Sequence, residues 1–272
     1  MKKPLTLKEI QNIELEMMRS IVEFCQENEL KIFLDSGTLL GAIRHQGFIP
    51  WDDDADLIMP REDYDQFRKL FGQVGPYRIT NSSYPAVFVK VYDTRTSLIE
   101  SRLRHPQEIG VYVDIFPVDV LPEEAQAKAV YFRKMRRFTR LIRIREQQLR
   151  NPGRGVRGLV KRATYILGSL LPERKLRRRT DQFAAKYQGT SSSLRTQMMM
   201  TWNPTKEYSA AWLQAGRTAK FEGVELPVPS ESEKYLTVLY GDDYMTPPPA
   251  DKIEQHTFEA YWRQESDYAN NY

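Results

Sequence analysis

Segments that favour strands crowd the first half of this 272-residue chain and helix-forming segments the second, a segregation that predicts an α+β fold. Short β-branched and aromatic runs lie between turn signals up to about Phe116, and long amphipathic runs dominate beyond Ala125. With 41% hydrophobic residues the chain can bury a substantial core. The boundaries we expect are a core over 1–124, a basic and largely helical segment over 125–200, and a helical, Pro-rich part over 201–272 that packs back on the core. No internal repeat is visible.

The elements follow in order. Thr6-Leu7-Lys8-Glu9 has the form of a capping box, and Ile10, Met17, Ile21 and Phe24 then recur at helical spacing. Cys25, the only cysteine, sits on the apolar side of that helix, where an inert core thiol is expected; no intrachain disulfide or multi-thiolate metal site can form. Lys31 to Asp35 reads as a short buried strand, Ser36-Gly37-Thr38 breaks it, and Leu39 to Arg44 resumes as a helical turn or two. An aromatic-rich loop leads to an acidic strand that Pro60 ends while starting a helix through about Phe71. Tyr77 to Thr80, Ala86 to Tyr92, Ser97 to Glu100 and Val111 to Phe116 read as further strands. Asp119, beyond Pro117, is expected in a loop or helix cap. The remainder reads as helical until Phe221, with irregular structure around Leu226-Pro227-Val228-Pro229.

Chemistry is concentrated in Trp51-Asp52-Asp53-Asp54-Ala55-Asp56. In an extended strand Asp54 and Asp56 share a face, and two such carboxylates repel unless a cation neutralises them. Hard divalent ions favour this donor type, and Mg²⁺ takes one or two carboxylates together with substrate phosphates. The alternative is a solvated acidic turn. Upstream, the strand–turn–helix at Ser36, Gly37 and Thr38 offers free N–H groups and hydroxyls as a phosphate cradle. Asp114 interrupts an otherwise apolar strand, where a charge is costly unless paired or metal-bound; facing the same cation as Asp54 and Asp56 is the preferred reading. Lys90, on a neighbouring strand, either balances a donor phosphate or reaches into water. Asp52 and Asp53 would orient the ligands from behind. The isolated His45, His105 and His256 have no metal-ligand spacing, and no Ser-His-Asp motif supports hydrolysis.

At these residues the chain resembles the LicD family of phosphocholine transferases, related to fukutin-type sugar-phosphate transferases. The resemblance rests on Leu34 to Arg44, Gly47 to Asp56, Phe88 to Asp93, Val113 to Asp119, and Tyr240 to Met245 with Pro247-Pro248-Pro249. It is weak between about Ala125 and Met200. It implies a nucleotidyltransferase-like mixed sheet with flanking helices, over a catalytic core at 1–124, with Asp54, Asp56 and Asp114 as metal carboxylates. It also implies Mg²⁺ or Mn²⁺, CDP-choline as donor, and a lipid-linked glycan precursor of teichoic-acid or lipopolysaccharide type as acceptor. Asp114 or Asp53 is the candidate base, and Ser36, Gly37, Thr38, Lys90 and Trp51 the candidate donor-binding residues. A choline headgroup would bind over aromatic faces, and among Trp51, Phe48, Tyr92, Tyr112 and Phe116 we single out Trp51.

Charge is uneven. Residues 133–179 hold seventeen Lys or Arg against Glu146 and Glu173, a net +15 in a chain of net +4, so the rest carries −11. Tyr131, Met135, Phe138 and Ile142 form a helical stripe expected in the core. Arg133, Arg136, Arg137, Arg140, Arg143, Arg177, Arg178 and Arg179 would face an anionic partner, for which a membrane surface fits and nucleic acid does not. Gly153, Gly155 and Gly158 mark a connection between helices. No leader peptide and no apolar run of about 20 residues is evident, which predicts a cytoplasmic protein peripheral at the inner membrane face. Two alternatives remain: the same fold transferring another polyol phosphate or a nucleotide, and a non-catalytic binder of anionic envelope polymers.

Overall fold

A computed structural model of the protein describes residues 3–81, 84–99, 104–105, 107–146, 153–197, 206–214, 216–249 and 259–264; Glu100, Arg150 and His256 lie outside them. Helix α1 (Leu7–Glu27) starts at the expected capping box, with Thr6 Oγ1 accepting from Glu9 N at 3.3 Å and Thr6 N donating to Glu9 Oε2 at 2.7 Å. Its inner face buries Ile10, Ile13, Met17, Met18, Ile21 and Cys25. Burial pushes the Cys25 thiol up to about 12, as expected of an inert core thiol.

Along the chain follow β1 (Phe33–Leu34), α2 (Ser36–His45), β2 (Ala55–Pro60), α3 (Arg61–Leu70), β3 (Gln73–Val74), β4 (Tyr77–Ile79), β5 (Val89–Asp93), β6 (Thr96–Ile99), β7 (Glu108–Ile109) and β8 (Tyr112–Val120). The second half supplies α4 (Ala125–Glu146), α5 (Gly155–Ser169), α6 (Glu173–Ala184), β9 (Leu194–Gln197), β10 (Tyr208–Ser209), β11 (Thr218–Phe221), β12 (Val224–Pro227), α7 (Ser232–Tyr240) and β13 (Ala260–Trp262). The main sheet is mixed: its order is β1-β2-β8-β5-β4-β3, with β2 parallel to β8 and the other pairs antiparallel. This is the α+β arrangement predicted, and its core lies between the sheet and helices α1, α2, α3 and α7.

Four expectations need correction. The stretch before Phe221 is not helical throughout, because β9 pairs with the far half of β8 at Val118↔Gln197 and Val120↔Arg195. A long strand offers that edge once β5 has ended opposite Ile115, and such a tertiary demand overrides local propensity. Leu226 and Pro227 close the β11–β12 hairpin rather than lying in irregular chain. Ser36-Gly37-Thr38 does not precede a helix but opens α2, with Ser36 in the left-handed region at φ 46°. Asp119 is no cap: it lies within β8, fully buried, because Pro117 falls in the interval between the two strands that share one edge of β8.

Asp119 holds Arg61. The guanidinium Nε donates to Asp119 Oδ1 at 2.7 Å, Nη2 to Oδ2 at 2.9 Å, and Nη1 to Asp181 Oδ1 at 2.7 Å. Burial opposes the charge on Arg61, but Asp119 and then Asp181 outweigh it and raise its pKa. One side chain thereby ties α3, β8 and α6.

In the basic segment Tyr131, Met135 and Ile142 are buried and Phe138 half-buried, as the stripe predicts, and Tyr131 stacks on Phe183 of α6 at 5.5 Å. Arg133, Arg136, Arg137, Arg140, Arg178 and Arg179 are exposed, and Arg143 is half-buried. Arg177 departs from the expectation of a surface cation. It is buried on the inner face of α6, donates to Glu173 at 2.8 Å and lies 3.7 Å from Glu146.

Burial pushes the Glu146 carboxyl up to about 8 despite Arg177. The folded state therefore keeps a proton that the unfolded chain has released, so this group lowers stability as pH rises from the ordinary carboxylate range to about 8. Glu146→Gln should flatten that part of the Tm–pH curve; an unchanged slope would refute the assignment.

Candidate active site

Strand pairing puts three charged residues in one row. In the parallel β2–β8 ladder Asp56 is the partner of Asp114, and in the antiparallel β5–β8 ladder Lys90 is. Paired residues share a sheet face, so Asp56, Asp114 and Lys90 stand side by side on three adjacent strands. Lys90 does not reach into water. Its ammonium is buried, donates to Asp114 Oδ1 at 2.7 Å and lies 3.5 Å from the centre of the Tyr112 ring.

Asp54 immediately precedes β2, and the carboxylates of Asp52, Asp53 and Asp54 lie within 4.8 Å of one another. Several contacts hold this acidic loop in place. Asp52 N donates to Ile49 O at 2.9 Å, and Gln11 Nε2 of α1 donates to Asp52 O at 2.9 Å. Gly37 lets the Asp52 carboxylate come close, since a Cβ there would meet Asp52 Oδ2 at 2.6 Å. Thr38 is buried, and its Oγ1 accepts from Asp56 N at 2.9 Å, so it fastens α2 to β2. Ser36 Oγ donates to Asp35 Oδ2 at 2.8 Å. Asp35 also accepts from the Tyr235 hydroxyl at 2.6 Å and from Gln197 Nε2 at 2.6 Å, which joins α7 and β9 to the floor of the site.

The acids repel one another strongly. Burial, then Asp54, then Asp114 push the Asp56 carboxyl well above its usual range. The same holds for Glu14 of α1, raised by burial and then by Asp54, Asp52, Asp53 and Asp114. Glu14 is 1% exposed, and its buried Oε2 has no hydrogen-bond partner among the described residues. Glu14 and Gln11 are missing from the sequence-predicted site. Their signal was present, for both fall on the buried stripe of α1 among Ile10, Met17 and Met18, where polar groups need a partner.

Among the described residues Asp52, Asp53 and Asp54 bring carboxylate oxygens within 4.8 Å of one another, an oxygen-donor set that fits Mg²⁺ or Mn²⁺, while Glu14, Asp56 and Asp114 are tied to that set by their charges. Asp52 and Asp53, expected to orient the ligands, cluster directly with Asp54.

Beside the acids opens a cavity of about 540 Å³, lined by Gly37, Trp51, Asp52, Tyr240, Asp243 and Tyr244 among others. Arg44 Nη1 donates to Tyr244 O at 2.9 Å and so pins the C-terminal segment across its mouth. The Tyr240 side chain is 45% exposed, yet its hydroxyl is raised by desolvation and then by the charges of Asp35 and Asp56. Of the aromatic residues singled out earlier, Trp51 lines this cavity, whereas Phe48 packs on Phe221 and Phe116 on Phe88 in the core.

Residues 29–152 match the family described as LicD/FKTN/FKRP, nucleotidyltransferase domain. The chain is 29% identical to the lipopolysaccharide cholinephosphotransferase LicD of Haemophilus influenzae, over 95% of this chain and 99% of that protein. An uncharacterised protein of Rickettsia typhi shares 43% identity over 70 residues, 25% of this chain and 22% of that one. One of Rickettsia prowazekii shares 41% over 58 residues, 21% of this chain and 22% of that one.

Proposed function

We propose that this chain, which matches the LicD family over residues 29–152, moves phosphocholine from CDP-choline to a hydroxyl of a lipid-linked glycan precursor, of lipopolysaccharide or teichoic-acid type, in a reaction that depends on a divalent metal. The observation that carries this reading is the clustered carboxylates of Asp52, Asp53 and Asp54 at the start of β2, next to the paired Asp56 and Asp114 of the parallel β2–β8 ladder, in a chain whose matched relative bears that activity in its name.

The acceptor hydroxyl attacks the choline-bearing phosphorus, the bond to the bridging oxygen of the donor breaks, CMP leaves, and the hydroxyl proton passes to a base. Asp54, Asp56 and Asp114, with Glu14, Asp52 and Asp53 beside them, would hold the cation. Bound there, Mg²⁺ or Mn²⁺ neutralises the donor pyrophosphate and polarises the phosphorus under attack. Lys90 donates to Asp114 and holds it along the sheet face. With one Asp114 oxygen engaged in that way, Asp53, 9% exposed and next to Asp54, is the better placed of the two candidates to take the proton. Ser36 and Thr38 act by holding α2, while Gly37 lets Asp52 approach. Trp51, Tyr240 and Tyr244 supply aromatic faces for the quaternary ammonium, with Asp52 and Asp243 adding negative charge.

Purified protein incubated with labelled CDP-choline and a lipid-linked glycan extract should release CMP in step with labelled glycan, and EDTA should stop both. CDP-ribitol in place of CDP-choline distinguishes the donor. Label that never reaches the glycan would overturn the reading. Within it, Trp51→Ala or Tyr244→Ala should raise KM for CDP-choline about tenfold, and KM for CDP-ethanolamine much less, since one exposed-to-buried cation–π contact is worth about 0.5–2 kcal/mol. Equal effects on both donors would remove these rings from headgroup recognition.

A further inference from the structure

Helix α5 is inside out. Val156, Leu159, Val160, Ile166, Leu167 and Leu170, on the helix and at its C-cap, are each between 59% and 77% exposed. At 3.6 residues per turn they fall within an arc of about 120°, the width of a face that normally packs on a core. The opposite side carries the small residues. Gly158 and Gly168 are the buried positions of α5, and a Cβ on Gly168 would lie 2.1 Å from Ile144 Cγ2 of α4. The helix is thus seated on α4 by glycine and shows its aliphatic side chains outward.

The charges around this stripe have one sign. Arg157 borders it on one edge and Arg162 on the other, both exposed, and α5 has no acidic residue. The stripe belongs to the segment of net +15 over 133–179. Next to it, a cleft of about 390 Å³ between α4 and α6 is lined by Lys134, Arg137, Lys175 and Arg179 around Phe138 and Leu176. Among the described residues no helix is long and apolar enough to cross a membrane. A second copy fits poorly as the occupant, because stripe-on-stripe contact would bring two strongly positive segments together. An anionic phospholipid surface satisfies both features, taking the aliphatic side chains among its acyl chains and the cations at its headgroups.

We propose that α5 lies in the plane of an anionic bilayer, with its Val156–Leu170 stripe inserted and the exposed arginines of α4 and α6 on the lipid headgroups. The interaction is independent of the transferase reading, since it uses none of the acids. The full chain should co-sediment with phosphatidylglycerol/phosphatidylethanolamine vesicles at least tenfold more strongly than with pure phosphatidylcholine. The double variant Leu159→Glu/Leu167→Glu, at exposed positions, should keep its Tm and bind at least tenfold more weakly. Arg157→Gln/Arg162→Gln protein should bind more weakly with a flatter salt dependence, while Tm stays put. Failure of the parent protein to sediment with anionic vesicles would overturn the proposal, as would unimpaired binding by the Glu double variant. A parent dimer in sedimentation velocity that the double variant dissociates, with vesicle binding absent, would assign the stripe to self-association instead.

Discussion

Asp56→Asn protein is expected to fold and to transfer phosphocholine on the order of a thousandfold more slowly than the parent, the scale on which loss of one stabiliser of transition-state charge acts. Asp56 is the residue for this test because its backbone is fixed twice, by Thr38 Oγ1 at its N–H and by Asp35 N at its carbonyl. An amide of the same shape changes the charge and leaves the strand alone. Stability should move the opposite way. Burial and the neighbouring Asp54 and Asp114 penalise the ionised form of Asp56, so in EDTA near neutral pH the variant should melt higher than the parent. Added Mg²⁺ or Mn²⁺ should reverse the order, because a cation that binds only the folded parent raises its Tm by mass action. Glu14→Gln should behave similarly in EDTA and show a weaker Tm response to Mg²⁺, since the Glu14 carboxyl is buried and feels the charges of Asp54, Asp52, Asp53 and Asp114. Parent-like turnover by folded Asp56→Asn protein would end the metal assignment, and a parent whose Tm ignores both ions would do so by another route.

Local signals were enough for much of this site. The capping box at Thr6, the strand that carries Asp56 and the helix start after Pro60 are short-range readings, and each corresponds to a feature of the structure. Long-range pairing was not legible. Nothing around Leu194 says that the far half of β8 lacks a neighbour, so β9 reads as part of a helical region. Lys90 was ambiguous for the same reason: only the β5–β8 register puts its ammonium opposite Asp114. Glu14 is an intermediate case. Its place on the apolar stripe of α1 flags a buried charge needing a partner, but its partners lie some forty residues away in the acidic loop. Arg177 misled because a run of arginines looks like a uniform surface, while a helix turns one of every three or four inward.

The largest stability effect is expected from Arg61→Met. Removing one member of a buried ion pair leaves the other charge without its partner, a cost of about 3–5 kcal/mol. Arg61 and Asp119 are 2% and 0% exposed, and two bonds at 2.7 and 2.9 Å join them, so the pair fits that class rather than the surface class worth about 1 kcal/mol or less. The variant should show a lower urea midpoint with an unchanged m value. Arg61→Met/Asp119→Leu should recover most of the loss, because the double change replaces the pair by apolar groups instead of orphaning a carboxylate. Asp181, half-exposed, can turn to solvent in either variant. Since Arg61 follows directly on Pro60 at the end of β2, the clamp also fixes the far end of the strand that carries Asp56. Its loss should reduce the folded fraction and leave turnover per folded molecule within a few-fold of the parent. A single Arg61→Met cost below about 1 kcal/mol, or a double variant no better than the single, would show that α3, β8 and α6 are held together by packing alone.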